Sequence, residues 1–308
     1  MLETKNNLKA WLYLSPVLIL MGIFTFYPLF NTLLLAFKEY EFVLNAYEIG
    51  IPTFTKFGFA NFAYVFADAK FRTAITNTLL IVFVSVPCSI ILSLLIAVAL
   101  NSIKPLKKVF QTIFFIPYVT NAIAIGMVFS VIFSRDTGLF NALLSLFNID
   151  NVDWINSGSS QLTRMFVLQL YIVWSSLPFK ILIFLSALQG VDKQYYQAAQ
   201  IDHASKSTVL RRVTIPLISP IIAYLTITSF IGAFKEYSSI IGLFGTDAGP
   251  AAQRGTMGTI VWYIYQFLGK DNIPNSDGVA AAAAVILLCI ILCITAVNMY
   301  ISKKKVHF

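Results

Sequence analysis

Residues 197–220 read QAAQIDHASKSTVLRRVTIPLISP, a polar and basic stretch carrying Pro216 and Pro220, set between two long apolar segments. Of the 308 residues, 58% are hydrophobic and 12% charged, with a mean hydropathy of +0.77. That composition is too apolar for a water-soluble domain. Crossing the hydrocarbon of a bilayer takes roughly 20 apolar residues. Six segments qualify, at about 10–37, 74–100, 109–133, 162–188, 216–234 and 279–301. The expected fold is an all-α integral membrane protein with six transmembrane helices, one domain over 1–308, and a polar loop at 189–215 between the fourth and fifth spans.

Six spans place both termini on one side. Assigning that side to the cytoplasm puts Lys5, Lys9, Lys104, Lys107, Lys108, Lys193, Lys206, Arg211, Arg212, Lys303, Lys304 and Lys305 in short inner segments, as the positive-inside rule requires. The net charge of +8 is therefore topological. A nucleic-acid binder would cluster its basic residues on one face with interleaved aromatics, and no nucleic-acid partner is expected. The first span is too long for a signal-peptide core and no small-x-small site follows it, so it reads as a retained anchor. Cys88, Cys289 and Cys293 all fall in apolar spans. Their number is odd and their spacing suits neither a disulfide framework nor a metal site.

Three outer stretches remain, at about 38–73, 134–161 and 237–278. Pro52 and Gly58 break the first into turns. The second mixes short helix and turn, and the third is Gly-rich and suits a lid or plug over a cavity. The Ala281–Ala284 run fits close helix packing in a membrane.

Within the loop, Asp192 is placed to cap a helix over residues 193–201, its carboxylate accepting from backbone N–H groups two or three residues on. Asp202 and His203 then form a turn, Ser205 caps a second short helix, and Pro216 belongs to the first turn of the next span. The stretch resembles the EAA loop of ABC importer permeases, in which Glu-Ala-Ala-x-x-Asp-Gly-Ala is followed by Ile-x-Leu-Pro-x-Leu-x-Pro. Ala198, Ala199, Asp202, Ala204, Val213, Ile215, Pro216, Ile218 and Pro220 are in register with it. AWLYLSPVLILMGIFTFYP, FRTAITNTLLIVFVSVP, TIFFIPYV, TGLFNALL and the VDW of 152–154 are similar to further signatures of carbohydrate-uptake permeases of the maltose and glycerol-3-phosphate type. The resemblance covers nearly the whole chain.

The resemblance implies a type I ABC importer permease fold and a MalF-type subunit paired with a second, MalG-type permease. It also implies two cytoplasmic ATPase subunits carrying ATP and Mg, an extracytoplasmic solute-binding protein, and a bacterial cytoplasmic membrane. No cofactor or metal is expected on this chain. The loop would couple the permease to its ATPase through Tyr195, Tyr196, Gln197, Ala198, Ala199, Asp202, His203, Ala204 and Pro216. The Ala198–Ala199 pair would permit close approach, and Asp202 would be the remaining charged anchor. Two positions depart from the pattern. Gln197 replaces the usual Glu, and His203 replaces a Gly at a position that calls for a positive φ, which His tolerates better than most side chains.

Ionisable residues inside a bilayer need a reason. Lys180 falls near the midplane of the fourth span, where it contacts the solute, snorkels, or is neutralised by another helix of the complex. An ammonium in the cavity suits an anionic or hydroxyl-rich solute. Trp174, Ser175 and Ser176 precede it with an aromatic platform and hydroxyls, and Glu236 and Tyr237 end the fifth span. Trp174, Ser175, Lys180, Glu236 and Tyr237 are therefore the candidate solute contacts, each also open to a packing or interfacial reading.

No G-x-x-x-x-G-K-[ST] occurs, so nucleotide hydrolysis by a P-loop belongs to a partner and not to this chain. His203 and His307, the only histidines, lie in inner segments, which leaves no intramembrane catalytic cluster and no enzyme reading. An ion-coupled secondary carrier is the rival class, and such carriers show inverted repeats and intramembrane carboxylates. An ABC permease for a non-sugar solute is the second alternative.

Overall fold

A computed structural model of the chain describes residues 7–44, 50–103, 107–270 and 275–305. Lys5, Lys104 and His307 lie outside the described residues. Four helical segments are long and apolar enough to cross a membrane: Lys9–Phe37, Ala69–Ser102, Gln161–Gly190 and Ser276–Lys303. Two further segments qualify only as bent pairs. The chain forms two compact units, residues 1–68 with 263–287, and residues 69–262 with 288–308.

The first unit opens with α1 (Asn7–Met21), a π-helical turn (Gly22–Phe26) and α2 (Tyr27–Phe37). Its aromatic and aliphatic side chains stand exposed, Trp11 at 64% and Phe24 at 74%. A β-hairpin follows, unforeseen in the sequence: β1 (Lys38–Leu44) and β2 (Gly50–Phe57) pair antiparallel, with a bulge between Glu39 and Tyr40. Helix α3 (Ala60–Ala67) is anchored by buried Asn61, whose Nδ2 donates to the carbonyls of Ala36 at 3.0 Å and Lys38 at 2.8 Å. Asn275 in turn donates to Asn61 Oδ1 at 2.5 Å. The Tyr263 phenol donates to Asp68 at 2.9 Å, and burial, with that bond, pushes its pKa up.

The second unit is built on α4 (Ala69–Ser102) and α8 (Gln161–Gly190). Ser85, Ser89 and Ser93 of α4, spaced four residues apart, are all buried. Residues at i and i+4 share one helix face, and small side chains there let helix backbones approach closely. The hydroxyls of Ser89 and Ser93 donate to the carbonyls of their own helix. Ser89 Oγ donates to the Val86 carbonyl at 3.0 Å, and Ser93 Oγ to that of Ser89 at 2.6 Å.

Between these helices the expected third span is broken. Helix α5 (Lys107–Val119) and helix α6 (Ala122–Ile132) meet at 107°. The break falls at Thr120–Asn121, where Asn121 caps α6 by accepting from the N–H groups of Ile123 and Ala124 at 2.9 and 3.2 Å. Helix α7 (Leu139–Ser145) and the turns after it are held by buried Asn141. Its amide donates to the Arg135 and Val152 carbonyls and accepts from Trp154 Nε1, each at 2.9 Å.

The fifth segment is also bent. After α9 (Lys193–Ile201), α10 (Lys206–Val209), a π-helical turn (Leu210–Thr214) and α11 (Ile215–Leu217), the chain turns at Ile218 into α12 (Ser219–Phe234). The bend measures 72°. The expectation that Pro216 opens the span is corrected: Pro216 closes the approach, and Pro220, which lacks an N–H, sits in the first turn of α12. Helix α13 (Ser238–Phe244) then crosses α6 backbone to backbone. A Cβ on Gly126 would lie 2.7 Å from Gly242 Cα, and one on Gly242 would lie 2.8 Å from the Ile123 carbonyl oxygen.

The Gly-rich stretch after α13 is pinned to α4. Asn77 Nδ2 donates to the carbonyls of Thr256 at 2.8 Å and Gly258 at 3.0 Å, and Thr78 Oγ1 accepts from Ile260 N at 3.1 Å. Helix α14 (Ile260–Phe267) and α15 (Ser276–Lys305) complete the chain, with Ala281, Ala282 and Ala283 buried as their small size allows.

Candidate functional site

Two polar arrangements interrupt the apolar scaffold of the second unit. The first is the loop after α8. Asp192 accepts from Gln194 N at 2.9 Å and opens α9, and Ser205 accepts from Thr208 N at 3.2 Å and opens α10. Both caps fall where the sequence places them.

The C-terminus of α9 closes in a Schellman turn. His203 has φ +51°, its N–H donates to the Gln200 carbonyl at 3.1 Å, and the Ala204 N–H donates to that of Ala199 at 3.0 Å. Those two bonds are the 5→2 and 6→1 pair of the motif, and the left-handed residue at its centre is ordinarily Gly because a Cβ is disfavoured there. His203 thus keeps the turn without the glycine.

The two faces of α9 differ. Ala199 is buried and Tyr196 half-buried, its phenol oxygen 3.4 Å from Thr214 Oγ1. Tyr195, Gln197, Ala198 and Asp202 are exposed, and Ile201 is 79% exposed. Positions 195, 198 and 202 share one stripe of a 3.6-residue helix. The expected Ala198–Ala199 pair is therefore split, Ala199 packing inward and Ala198 facing out. His203 is also exposed, and Ala204 and Pro216 are half-buried.

The second arrangement is a cavity of about 400 Å³ bounded by α4, α5, α8 and α12. Its wall carries the hydroxyls of Ser85, Ser175, Ser176, Thr228 and Ser229, the Lys180 ammonium, and the Glu236 carboxylate just beyond α12. Tyr118 and Phe179 stack beside it at 5.7 Å and 17°. Lys180 is 7% exposed and donates to Ser89 Oγ at 2.5 Å and Ser176 Oγ at 3.2 Å.

Glu236 is half-buried, and its Oε1 accepts from Ser239 N at 3.0 Å in the first turn of α13. Lys235, its neighbour in sequence, is exposed. Of the five expected solute contacts, Ser175, Lys180 and Glu236 share this cavity. Trp174 packs on Phe129, ring centroids 5.4 Å apart, and Tyr237 sits at the N-terminus of α13; neither lines the cavity wall. The sequence reading missed Ser85, Ser89, Tyr118 and Thr228. The four-residue spacing of Ser85 and Ser89 in an otherwise apolar run was the signal available for the serines.

A chain of this architecture matches known proteins along most of its length. Residues 89–307 match the profile of the family described as binding-protein-dependent transport system inner membrane component. The arabinooligosaccharides transport system permease protein AraP of Halalkalibacterium halodurans is 30% identical over 301 residues, covering 96% of this chain and 88% of that one. The lactose transport system permease protein LacF of Rhizobium radiobacter is 26% identical over 307 residues, 99% of this chain and 97% of that one. Among solved structures, a chain of a bacterial alginate ABC transporter, crystallised with its alginate pentasaccharide-bound periplasmic protein, superposes with a TM-score of 0.78 at 23% identity, covering 97% of this chain and 96% of that one. At that identity the likeness establishes the fold.

Proposed function

The chain belongs to the binding-protein-dependent transport system inner membrane components, and on that premise we propose that it is one permease subunit of an ATP-driven ABC importer for a carbohydrate, chiefly an oligosaccharide. Relatives named for arabino-oligosaccharides and lactose support that solute class. The chain itself is a conduit and not an enzyme. It pairs with a second, homologous permease, two cytoplasmic ATPase subunits bind and hydrolyse ATP with Mg, and an extracytoplasmic binding protein delivers the solute. The assembly sits in a bacterial cytoplasmic membrane with both termini of this chain inside, an orientation supported by the Lys and Arg of its short loops.

The observation that carries the reading is the outward face of α9. A nine-residue helix fixed by a cap at each flank presents Tyr195, Ala198 and Asp202 together, with Ile201 almost fully exposed beside them. Tyr195, Ala198 and Ile201 exposed together beside Asp202 on a short, capped helix in an otherwise polar loop suit a protein contact. The ATPase receives that face, Asp202 meeting a basic group of the partner and Tyr195 supplying buried contact area. The cavity under Lys180 receives the solute. Solute passes by alternating access, driven through residues 192–220.

The test is ATP hydrolysis by the chain assembled with its partner permease, ATPase and binding protein in proteoliposomes. Solute-loaded binding protein is expected to stimulate hydrolysis, and Asp202→Lys to reduce that stimulation at least about tenfold by setting like charges together at the interface. Stimulation undiminished in the Asp202→Lys complex would remove the loop from the coupling path. Uptake that collapses with an uncoupler and survives ATP depletion would remove the importer reading altogether.

A further inference from the structure

The ammonium of Lys180 is buried, and among the described residues no carboxylate lies within 4.0 Å of it. Among the described residues the two ion pairs are Lys56 with Glu39 and Arg254 with Asp247, and Lys180 belongs to neither. What it has are two hydroxyls whose own protons are already committed. Ser89 Oγ donates to the Val86 carbonyl at 3.0 Å and Ser176 Oγ to the Val173 carbonyl at 2.9 Å. Both serines can then only accept from Nζ, and they do, at 2.5 and 3.2 Å. An ammonium has three N–H donors and no acceptor. Two are fixed against the α4–α8 seam, which leaves one N–H and the positive charge on a cavity wall.

A buried cation is tolerated when it is paired and hydrogen-bonded, and an ionisable group held at the depth of a membrane span marks a functional site. Here the hydrogen bonds are built in, and Glu236, on the same wall, accepts from Ser239 N and forms no ion pair with Lys180. The rest of the wall is suited to a sugar ring: serine and threonine hydroxyls, a stacked aromatic pair, and the Glu236 carboxylate, which accepts from hydroxyl donors. Volume agrees as well, since about 400 Å³ falls in the range of small-molecule sites.

We propose that this cavity selects a sugar acid, a uronate-type residue whose carboxylate seats on Lys180 while its hydroxyls meet Glu236 and the surrounding serines and threonines. The proposal rests on the importer reading and adds the charge of the solute to it. Lys180 is the specificity-determining contact, and Ser89 is a positioning residue that aims it.

The experiment uses the complete complex in proteoliposomes with saturating binding protein. Its probes are an oligouronide and the neutral oligosaccharide obtained by reducing its carboxyl groups, compared in the wild type, Lys180→Gln and Lys180→Arg. The wild type is expected to hydrolyse ATP faster with the oligouronide by about tenfold or more, the weight of a charge-assisted pair in a dry site. In Lys180→Gln the acidic-to-neutral ratio falls toward unity, and in Lys180→Arg it is retained.

A Lys180→Gln complex that keeps the wild-type ratio overturns the proposal, as does a wild type driven by the neutral sugar alone; in both cases the importer reading stands. Hydrolysis indifferent to every solute-loaded binding protein would instead overturn the importer reading and this inference with it. Thermal unfolding of the wild-type complex supplies a readout independent of any variant. Protection by the oligouronide alone is expected, and equal protection by both sugars counts against the assignment.

Discussion

The first apolar segment, Lys9–Phe37, and helix α8 pass the same test of length and apolarity for a membrane span, yet none of the most apolar eighteen residues of the first is buried inside the protein, whereas 39% of those in α8 are. Apolarity is thus shared, and what covers it is not. The first segment offers aromatic and aliphatic side chains to lipid or another subunit, and two of its polar groups bond to its own backbone, Ser15 to the Leu12 carbonyl and Thr32 to the Pro28 carbonyl, each at 2.8 Å. Helix α8 instead carries Gln169, Ser176 and Lys180 against α4 and the cavity, where Gln169 donates to the Leu80 carbonyl at 2.9 Å. In this chain the interior is marked by buried polar side chains, not by more hydrophobicity, and most of them have partners, although Arg164 Nε and Nη1 and Gln169 Oε1 of α8 have none among the described residues.

That contrast can be broken at three points. Ser93 is fully buried on α4, so Ser93→Phe should cost about 3 kcal/mol by overpacking and lower the midpoint of thermal unfolding in detergent more than any change in the first segment. Ser89→Ala removes an acceptor from a buried ammonium and should cost about 1–3 kcal/mol, read in the same melt. A midpoint within error of wild type would mean that Lys180 turns elsewhere when Ser89 is gone. Phe24→Ala, at a residue 74% exposed, should change the melt of the isolated chain by less than about 0.5 kcal/mol. If it destabilises the isolated chain as much as Ser93→Phe does, the two segments are not different in kind.

Much of the loop was legible because its determinants are local. Asp192 and Ser205 cap within three residues of themselves, and a positive φ at His203 follows from the turn they bracket. The breaks at Asn121 and Ile218 were marked only by the short polar or proline dipeptides Thr120-Asn121 and Ser219-Pro220 within apolar runs, and a side-chain cap or a proline without an N–H only redirects a chain that has somewhere else to pack. The hairpin left a trace in Glu39-Tyr40-Glu41-Phe42, whose polar and apolar residues alternate with the period of a strand.

Among the candidate contacts, sequence position brought Ser175, Lys180 and Glu236 to one cavity from two distant segments. It could not separate them from Trp174 and Tyr237, because which way a helical residue faces in an evenly apolar segment is decided by its neighbours across the seam. The Asn141 knot and the Gly126–Gly242 crossing are likewise contacts between stretches that carry no local mark of each other.

Helix α12 begins at the 72° bend beside the loop and ends two residues short of Glu236 on the cavity wall. Sixteen residues of α-helix make a rod of about 24 Å at 1.5 Å per residue. A rod of that length is a crank: a tilt of about 5° at the bend carries its far end about 2 Å, by the same helix geometry, enough to make or lose a hydrogen bond to a sugar hydroxyl. Under the proposed importer reading, α12 would then carry any movement of the bend at Ile218 to the cavity wall at Glu236 as one stiff member, while α11, the π-helical turn and α10 lead from that bend back to α9.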